Sequence, residues 1–482
     1  MQERDLELLV KEIQEQKCEN NYIELKAARD GCPKLFETLS SFSNQAGGGR
    51  IIFGINDDYE ICGVYDAADL QKKIMEQSLQ MTPEVRPLCT TACIDGQTVV
   101  CAEISEIDNY EKPCFYKGAG RLKGSYIRVG DGDRRMTKYE VYSYEVFKKK
   151  IRDELRVDFN AEIEDIQTDY LTEYLITLRK KKPNLANLPI EKLYRLQNII
   201  LNSKPTLAAI MLFGDYPQAF FPQLSITAVY IPGTEKSTVG EVGERFIDNA
   251  RIDGNLVQML DGAINFVRRN MKITTIIDSR TGKRNDRTEY PIIAIRELIL
   301  NALIHRDYSM HTDSAPITIE MYRDRFEIAN PGGLYGRMTL DNLGKFAADT
   351  RNPVIANALE VLDVTENRYS GIPTIVNAMK EYGLPAPRFE NDCGVFKVTL
   401  YNSNVKDSHM ADIANFSDSE TILEFCKTPR SRSEIEELFK GKKSIVYLMK
   451  TVVHPLIDSG ALLLTIPEKP RSKFQRYVTA RD

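Results

Sequence analysis

The chain has 482 residues, a formal net charge of -5 and a charged fraction of 28%. It is too long for one hydrophobic core, so several domains are expected, and the negative balance excludes a uniformly basic nucleic-acid binder, leaving only local basic patches to consider. No apolar run is long enough to span a bilayer. The opening MQERDLELLVKEIQEQ is charged and helical rather than a leader. The 9 cysteines contain no C-x-x-C pair, so reduced thiols and a cytoplasmic protein are expected.

In chain order, residues 1–16 read as a helix, and Tyr22, Ile23 and Leu25 as a short strand. Residues 35–42 have helical spacing. A glycine-rich turn at 44–49 leads into a strand at 50–55. Further strands at 98–104 and 125–129 complete a small α+β domain over residues 1–148. Between the last two strands, Lys112, Lys117, Arg121, Lys123 and Arg128 alternate with Phe115, Tyr116 and Tyr126. Basic residues among aromatics suit a phosphate backbone and unstacked bases; an ordinary solvated loop has the same composition.

Residues 149–284 read as a linking region, helical over 149–200, with two strand-like apolar runs over 205–232 and a helix over 253–270. From 285 to 405 a distinct order appears. Residues 291–308, PIIAIRELILNALIHRDY, form a helix in which Glu297 and Asn301 lie one turn apart and share a side. A carboxylate that polarises water and an amide oxygen that ligates Mg²⁺ would stand together there; a wet polar pair is the plainer alternative. A hairpin about Asp324 follows, then Asn330, Pro331, Gly332 and Gly333, a long polar segment over 334–368, a helix opened by Gly371 and a strand at 395–401. Arg306, at the helix end, is a candidate phosphate contact, and His305 a capping or packing residue. No G-x-x-x-x-G-K-[ST] string occurs, which excludes a P-loop motor.

Residues 417–482 read as three helices and a hairpin, with a capping box proposed at Ser433 to Glu436. Lys442 and Lys443 just before the third helix, Lys450 on it, and Lys469, Arg471 and Lys473 around the hairpin tip, are the candidate DNA contacts. This pattern resembles a winged helix-turn-helix. A winged helix that binds protein has the same outline.

Two further resemblances follow from these residues. Glu19, Glu24 and Lys26 (E-x4-E-x-K), Ser41 to Gly48 (S-x-x-N-x-x-G-G), Gly54 to Asp57 (G-I-x-D) and Tyr126 to Gly130 (Y-I-R-x-G) resemble the Schlafen-type AlbA domain. That likeness implies nucleic-acid binding, through Lys26, Lys117, Arg121, Lys123 and Arg128. It also implies, in some members, a metal-dependent nuclease site at Glu19, Glu24 and Asp57 or Asp58. The order from Glu297 to the 395–401 strand resembles the histidine-kinase-like ATPase superfamily, and more closely its divergent helicase-related branch found beside AlbA domains. The likeness implies ATP and Mg²⁺, with Glu297 activating water, Asn301 on the metal, Asn330 at the adenine amino group, and Gly332, Gly333 and Gly371 around the nucleotide. Asn330 stands where an acid is usual, and Gly371 is one glycine where two normally cradle phosphate; both departures imply sensing rather than rapid turnover. The expected fold class is α+β and multidomain: an AlbA-like α/β domain, a helical and strand region, a histidine-kinase-like α/β sandwich and a winged helix. The expected function is a nucleotide-sensing DNA-binding transcriptional regulator, a homodimer or higher homo-oligomer. The alternative is a metal-dependent nuclease acting on tRNA, other RNA or single-stranded DNA, as in phage defence.

Overall fold

The structure is a computed structural model. It describes residues 1–16, 21–130, 132–240, 243–277, 284–340, 342–346, 349–365, 371–392 and 394–402 and, beyond these, 422–423, 425–438, 449, 453, 456–457, 461–465 and 475–479. The chain divides into two compact units, Met1–Val405 and Lys406–Asp482.

The first unit opens with a four-stranded sheet in the order Ile23–Lys26, Gly49–Phe53, Gln97–Ile104, Leu88–Ile94. The first pair is parallel and the rest antiparallel. Alternation along the strands splits the core in two. Ile52, Val99 and Cys101 face Leu6, Val10 and Ile13 of helix Glu3–Gln16. Ile51, Phe53, Val100 and Ala102 face helices Phe36–Asn44 and Ala67–Ser78. Helix Lys138–Lys149, fixed by a Thr137/Glu140 capping box, closes this part.

The second sheet has six strands: Asp248–Ile252, Ile226–Tyr230, Ile317–Met321, Arg325–Pro331, Val395–Tyr401, Arg388–Asp392. Two of these strands, and helix Leu256–Asn270 packed on them, come from the segment expected only to link. The six strands, from Ile226 to Tyr401, therefore belong to one sheet, which the expected boundary at 285 would divide. One apolar run, expected as a strand, is helix Leu207–Phe213: Thr206 caps it by accepting from the Ala209 amide. The polar segment before Gly371 contains helix Pro353–Val361, begun by a proline at its first turn.

Helix Ile292–His305 lies at the centre. Ala294, Ile295, Leu298, Ile299, Leu300, Ala302, Leu303 and Ile304 are all buried, so most of its circumference faces core, as expected for an interior helix. Its last carbonyls, which no later turn can satisfy, receive the Asn352 amide at Ile304 (2.8 Å) and Arg306 (2.7 Å).

In the second unit, the described residues form a three-stranded sheet, Arg430–Ser431, Arg476–Thr479, Leu462–Leu464, beside helix Arg432–Leu438. Ile422, Cys426, Ile435 and Tyr477 are among its core. The expected hairpin is present, as the antiparallel pair of Leu462–Leu464 and Arg476–Thr479. The capping box sits one half-turn earlier than expected, with Ser431 and Glu434 exchanging bonds. Lys442, Lys443, Lys450, Lys469, Arg471 and Lys473 lie outside the described residues. Among the described residues, no helix is long and apolar enough to cross a membrane.

Candidate functional site

A cavity of about 650 Å³ in the first unit lies against one face of helix Ile292–His305. Glu297, Asn301 and His305 all line it; four-residue steps place them in one row. Asn301 Nδ2 donates to Glu297 Oε1 across 3.3 Å. Ile328 and Asn330 on one strand, and Val398 and Phe396 opposite them in register, form the floor. Met338, Leu343, Gly344 and Phe346 line the cavity from the segment before helix Pro353–Val361.

Gly371 opens the facing helix so close to the polar pair that a Cβ there would meet Glu297 Oε1 at 2.6 Å and Asn301 Nδ2 at 2.8 Å. The missing side chain is what lets this helix approach. Gly332 (φ +110°) is also required as glycine, because a Cβ would lie 2.6 Å from Arg351 Nη1 and 2.7 Å from Asp307 Cβ. Gly333 lines the cavity beside Asn391, which accepts from the Leu334 amide at 2.9 Å.

Asn330 is 5% exposed, and its Oδ1 has no hydrogen-bond partner. An orphaned buried carbonyl costs about 1–3 kcal/mol. Thr350 Oγ1, also on the cavity wall, is likewise unpaired. Burial, with the Arg351 charge second, pulls the His305 imidazole down to about 4. It is therefore neutral at pH 7 and can donate or accept.

The expectation for Arg306 is overturned. Its side chain is 2% exposed and is absent from the cavity lining. It donates to the carbonyls of Thr312 and Ala315 and so holds the turn after the helix.

Behind the Asn330–Gly333 loop is a buried cluster that sequence spacing did not reveal. Arg351 Nη1 pairs with Asp307 Oδ2 at 2.9 Å, both side chains being almost fully buried. Tyr139, from helix Lys138–Lys149, donates to the same oxygen at 2.6 Å. Arg351 also donates to the Gly333 carbonyl at 3.3 Å, and Asp307 receives Gly332 in close contact. Burial alone would raise the Asp307 carboxyl, but Arg351 and the Tyr139 hydroxyl outweigh it and hold it below its ordinary value. Phe147 of the same helix packs edge-on against Tyr335, a cavity residue. Glu154, fully buried, accepts from the Val354 and Ile355 amides at the start of helix Pro353–Val361.

In the N-terminal part, the expected nucleic-acid residues divide. Arg128 is buried and pairs with Glu24 (2.8 Å) and Asp133 (3.1 Å), over the Phe42 ring. It is a structural arginine, not a phosphate contact. Lys26 pairs with the other Glu24 oxygen, and Arg121 with Glu145. Lys117 and Lys123 are exposed. Asn44 bonds the Cys114 backbone through both ends of its amide and reaches the Tyr126 carbonyl. The S-x-x-N string thus holds the domain together. Asp57 is exposed in the turn after strand Gly49–Phe53, and Glu19 lies outside the described residues. Among the described residues, no three His, Cys, Asp or Glu side chains converge as a metal would require.

Two family models match. One, described as "Schlafen, AlbA_2", covers residues 19–137. The other, described as "Putative ATP-dependent DNA helicase recG C-terminal", covers residues 314–400. The chain carries a Schlafen AlbA_2 domain followed by a RecG C-terminal-type ATPase-like domain. The second match begins beyond Glu297 and Asn301, so the place of these two residues rests on the cavity geometry. Two solved structures are similar. The DIP2311 protein from Corynebacterium diphtheriae is 17% identical, with a TM-score of 0.40, over 99% of this chain and 97% of that one. The N-terminal domain of a RecG-related protein from Nitrosomonas europaea, titled a putative ATP-dependent DNA helicase, is 26% identical, with a TM-score of 0.22, over 27% of this chain and 92% of that one. No curated protein matches.

Proposed function

We propose that the chain is a nucleotide-sensing, nucleic-acid-binding regulator of transcription, with ATP held in the cavity beneath Gly371. The observation that carries this reading is Asn330: a buried carboxamide oxygen with no protein partner, on the floor of a cavity whose other wall carries Glu297 and Asn301. Asn330 would meet the adenine edge. Gly371 and Gly333 leave room for phosphates. Asn301 and Glu297 are the groups that would hold Mg²⁺ and orient water. Bound Mg²⁺–ATP would supply a charged triphosphate and a hard cation. The chain supplies a neutral His305, an unpaired Asn330 and a closely packed glycine.

The regulatory half rests on the cluster of Tyr139, Asp307 and Arg351. The loop that ends in Gly333 shares one buried ion pair with the helix that closes the AlbA_2 domain. A nucleotide that shifts this loop would therefore act on the domain through one tyrosine. Exposed Lys117 and Lys123 are the residues left for nucleic acid there. The commitment of both Glu24 oxygens to Lys26 and Arg128 favours binding over metal-dependent cleavage. Duplex and single-stranded DNA affinity, measured with and without ATP–Mg²⁺ at fixed salt, tests the function. A change of fivefold or more is expected, and equal affinities under both conditions would refute coupling.

A further inference from the structure

We infer that the cavity is a general purine-nucleotide site, accepting guanine as readily as adenine, because Asn330 reads the base with a carboxamide that can turn over. This deepens the nucleotide reading above and rests on it.

A purine is read along the edge that carries its 6-substituent. Adenine presents a donor at N6 and an acceptor at N1, whereas guanine presents an acceptor at O6 and a donor at N1. A carboxylate can only accept, so in the pose where it receives the adenine amino group it would oppose the guanine carbonyl. A carboxamide offers one acceptor and two donors. In one orientation Oδ1 receives the adenine amino group while Nδ2 donates to N1. Turned by 180°, Nδ2 donates to guanine O6 while Oδ1 receives the N1 proton.

The turn is free only if nothing in the protein fixes the amide. Two of the other buried asparagines show what fixing looks like. Asn44 is held by the Cys114 amide and by two carbonyls. Asn352 is held by the carbonyls of Ile304 and Arg306. Asn330 is buried as they are, but where Asn352, whose Oδ1 is also unpaired, is still held through Nδ2, Asn330 has, among the described residues, no side-chain hydrogen bond at either end of its amide. Its neighbours on the floor, Ile328, Phe396 and Val398, are apolar and indifferent to its orientation. The other unpaired polar atom on the wall, Thr350 Oγ1, is a hydroxyl that also donates or accepts by rotation. Among the described residues, the buried side-chain atoms left unpaired on this wall are thus both ambivalent.

The test uses the full chain with Mg²⁺ and the β,γ-imido analogues of ATP and GTP, in calorimetric titrations on the wild type, Asn330→Asp and Asn330→Leu. Wild-type affinities within tenfold of each other are expected. Asn330→Asp should favour the adenine analogue by more than tenfold, mainly through loss of the guanine one, and Asn330→Leu should weaken both alike. A wild-type preference for adenine above tenfold, or an unchanged ratio in Asn330→Asp, overturns the inference while leaving the nucleotide site intact. Binding of neither analogue to folded wild-type protein overturns the nucleotide reading itself.

Discussion

Replacing Asn330 by leucine should stabilise the protein and damage its site at once. In the free chain, Oδ1 is buried without a partner. A group in that state costs about 1–3 kcal/mol, a cost that a leucine of similar size on an apolar floor removes. The first unit spans 405 residues, so each kcal/mol corresponds to roughly 1 °C, and the melting temperature should rise by about 1–3 °C. With nucleotide the sign reverses. The base edge loses its only buried partner on the floor, and affinity should fall roughly 5- to 150-fold. Differential scanning fluorimetry without ligand, followed by titration with ATP–Mg²⁺, reads both effects. A leucine variant that is less stable than wild type and binds ATP unchanged would show that Asn330 has a structural partner and no part in recognition.

Gly371→Ala places a methyl against the ends of two flexible side chains; chemical denaturation should change by less than about 1 kcal/mol, since alanine favours the helix, while ATP affinity falls at least tenfold. Tyr139→Phe removes the hydroxyl bond to buried Asp307 and should cost about 1–3 kcal/mol in urea unfolding. In the same variant, the response of DNA affinity to ATP should shrink. His305 sits at about 4 in the folded chain against an ordinary 6.5, so its contribution is complete above pH 6.5 and is lost, by about 3 kcal/mol in all, as pH falls toward 4; His305→Gln should flatten that acid limb. Glu154 behaves in the opposite sense. Burial, only partly offset by the helix amides, raises it from 4.5 to about 7, so its contribution is full below pH 4.5 and declines as pH rises through 7. Glu154→Gln should therefore gain stability relative to wild type between pH 5 and 8.

What could be read from the sequence follows from how local each signal is. That Glu297 and Asn301 share one face, and that Gly332 and Gly333 form a tight turn, was legible because one helical turn and one short loop fix them. Arg306 misled because adjacency in sequence is not adjacency on a helix. It is five positions past Asn301, about 140° round the axis, whereas His305 at four positions returns to the cavity face. Leu207–Phe213 looked like a strand because an apolar stretch of seven residues has no visible period, although Thr206 was a usable cap signal. The strand Asp248–Ile252 is short and polar, and only its pairing with Ile226–Tyr230 reveals it. Arg128 passed as a nucleic-acid residue because its partners, Glu24 and Asp133, are far from it or invisible as a motif. The cluster of Tyr139, Asp307 and Arg351 joins residues up to 212 positions apart, beyond any local pattern.

The most direct measurement of the central claim is calorimetric titration of ATP–Mg²⁺ into wild type and Asn301→Ala. Asn301 shares the cavity wall with Glu297 and donates to its Oε1 at 3.3 Å. Saturable binding in the wild type and its loss in a variant that still unfolds cooperatively is the predicted result. Equal affinity in the two proteins would contradict the assignment of this cavity as the nucleotide and metal site.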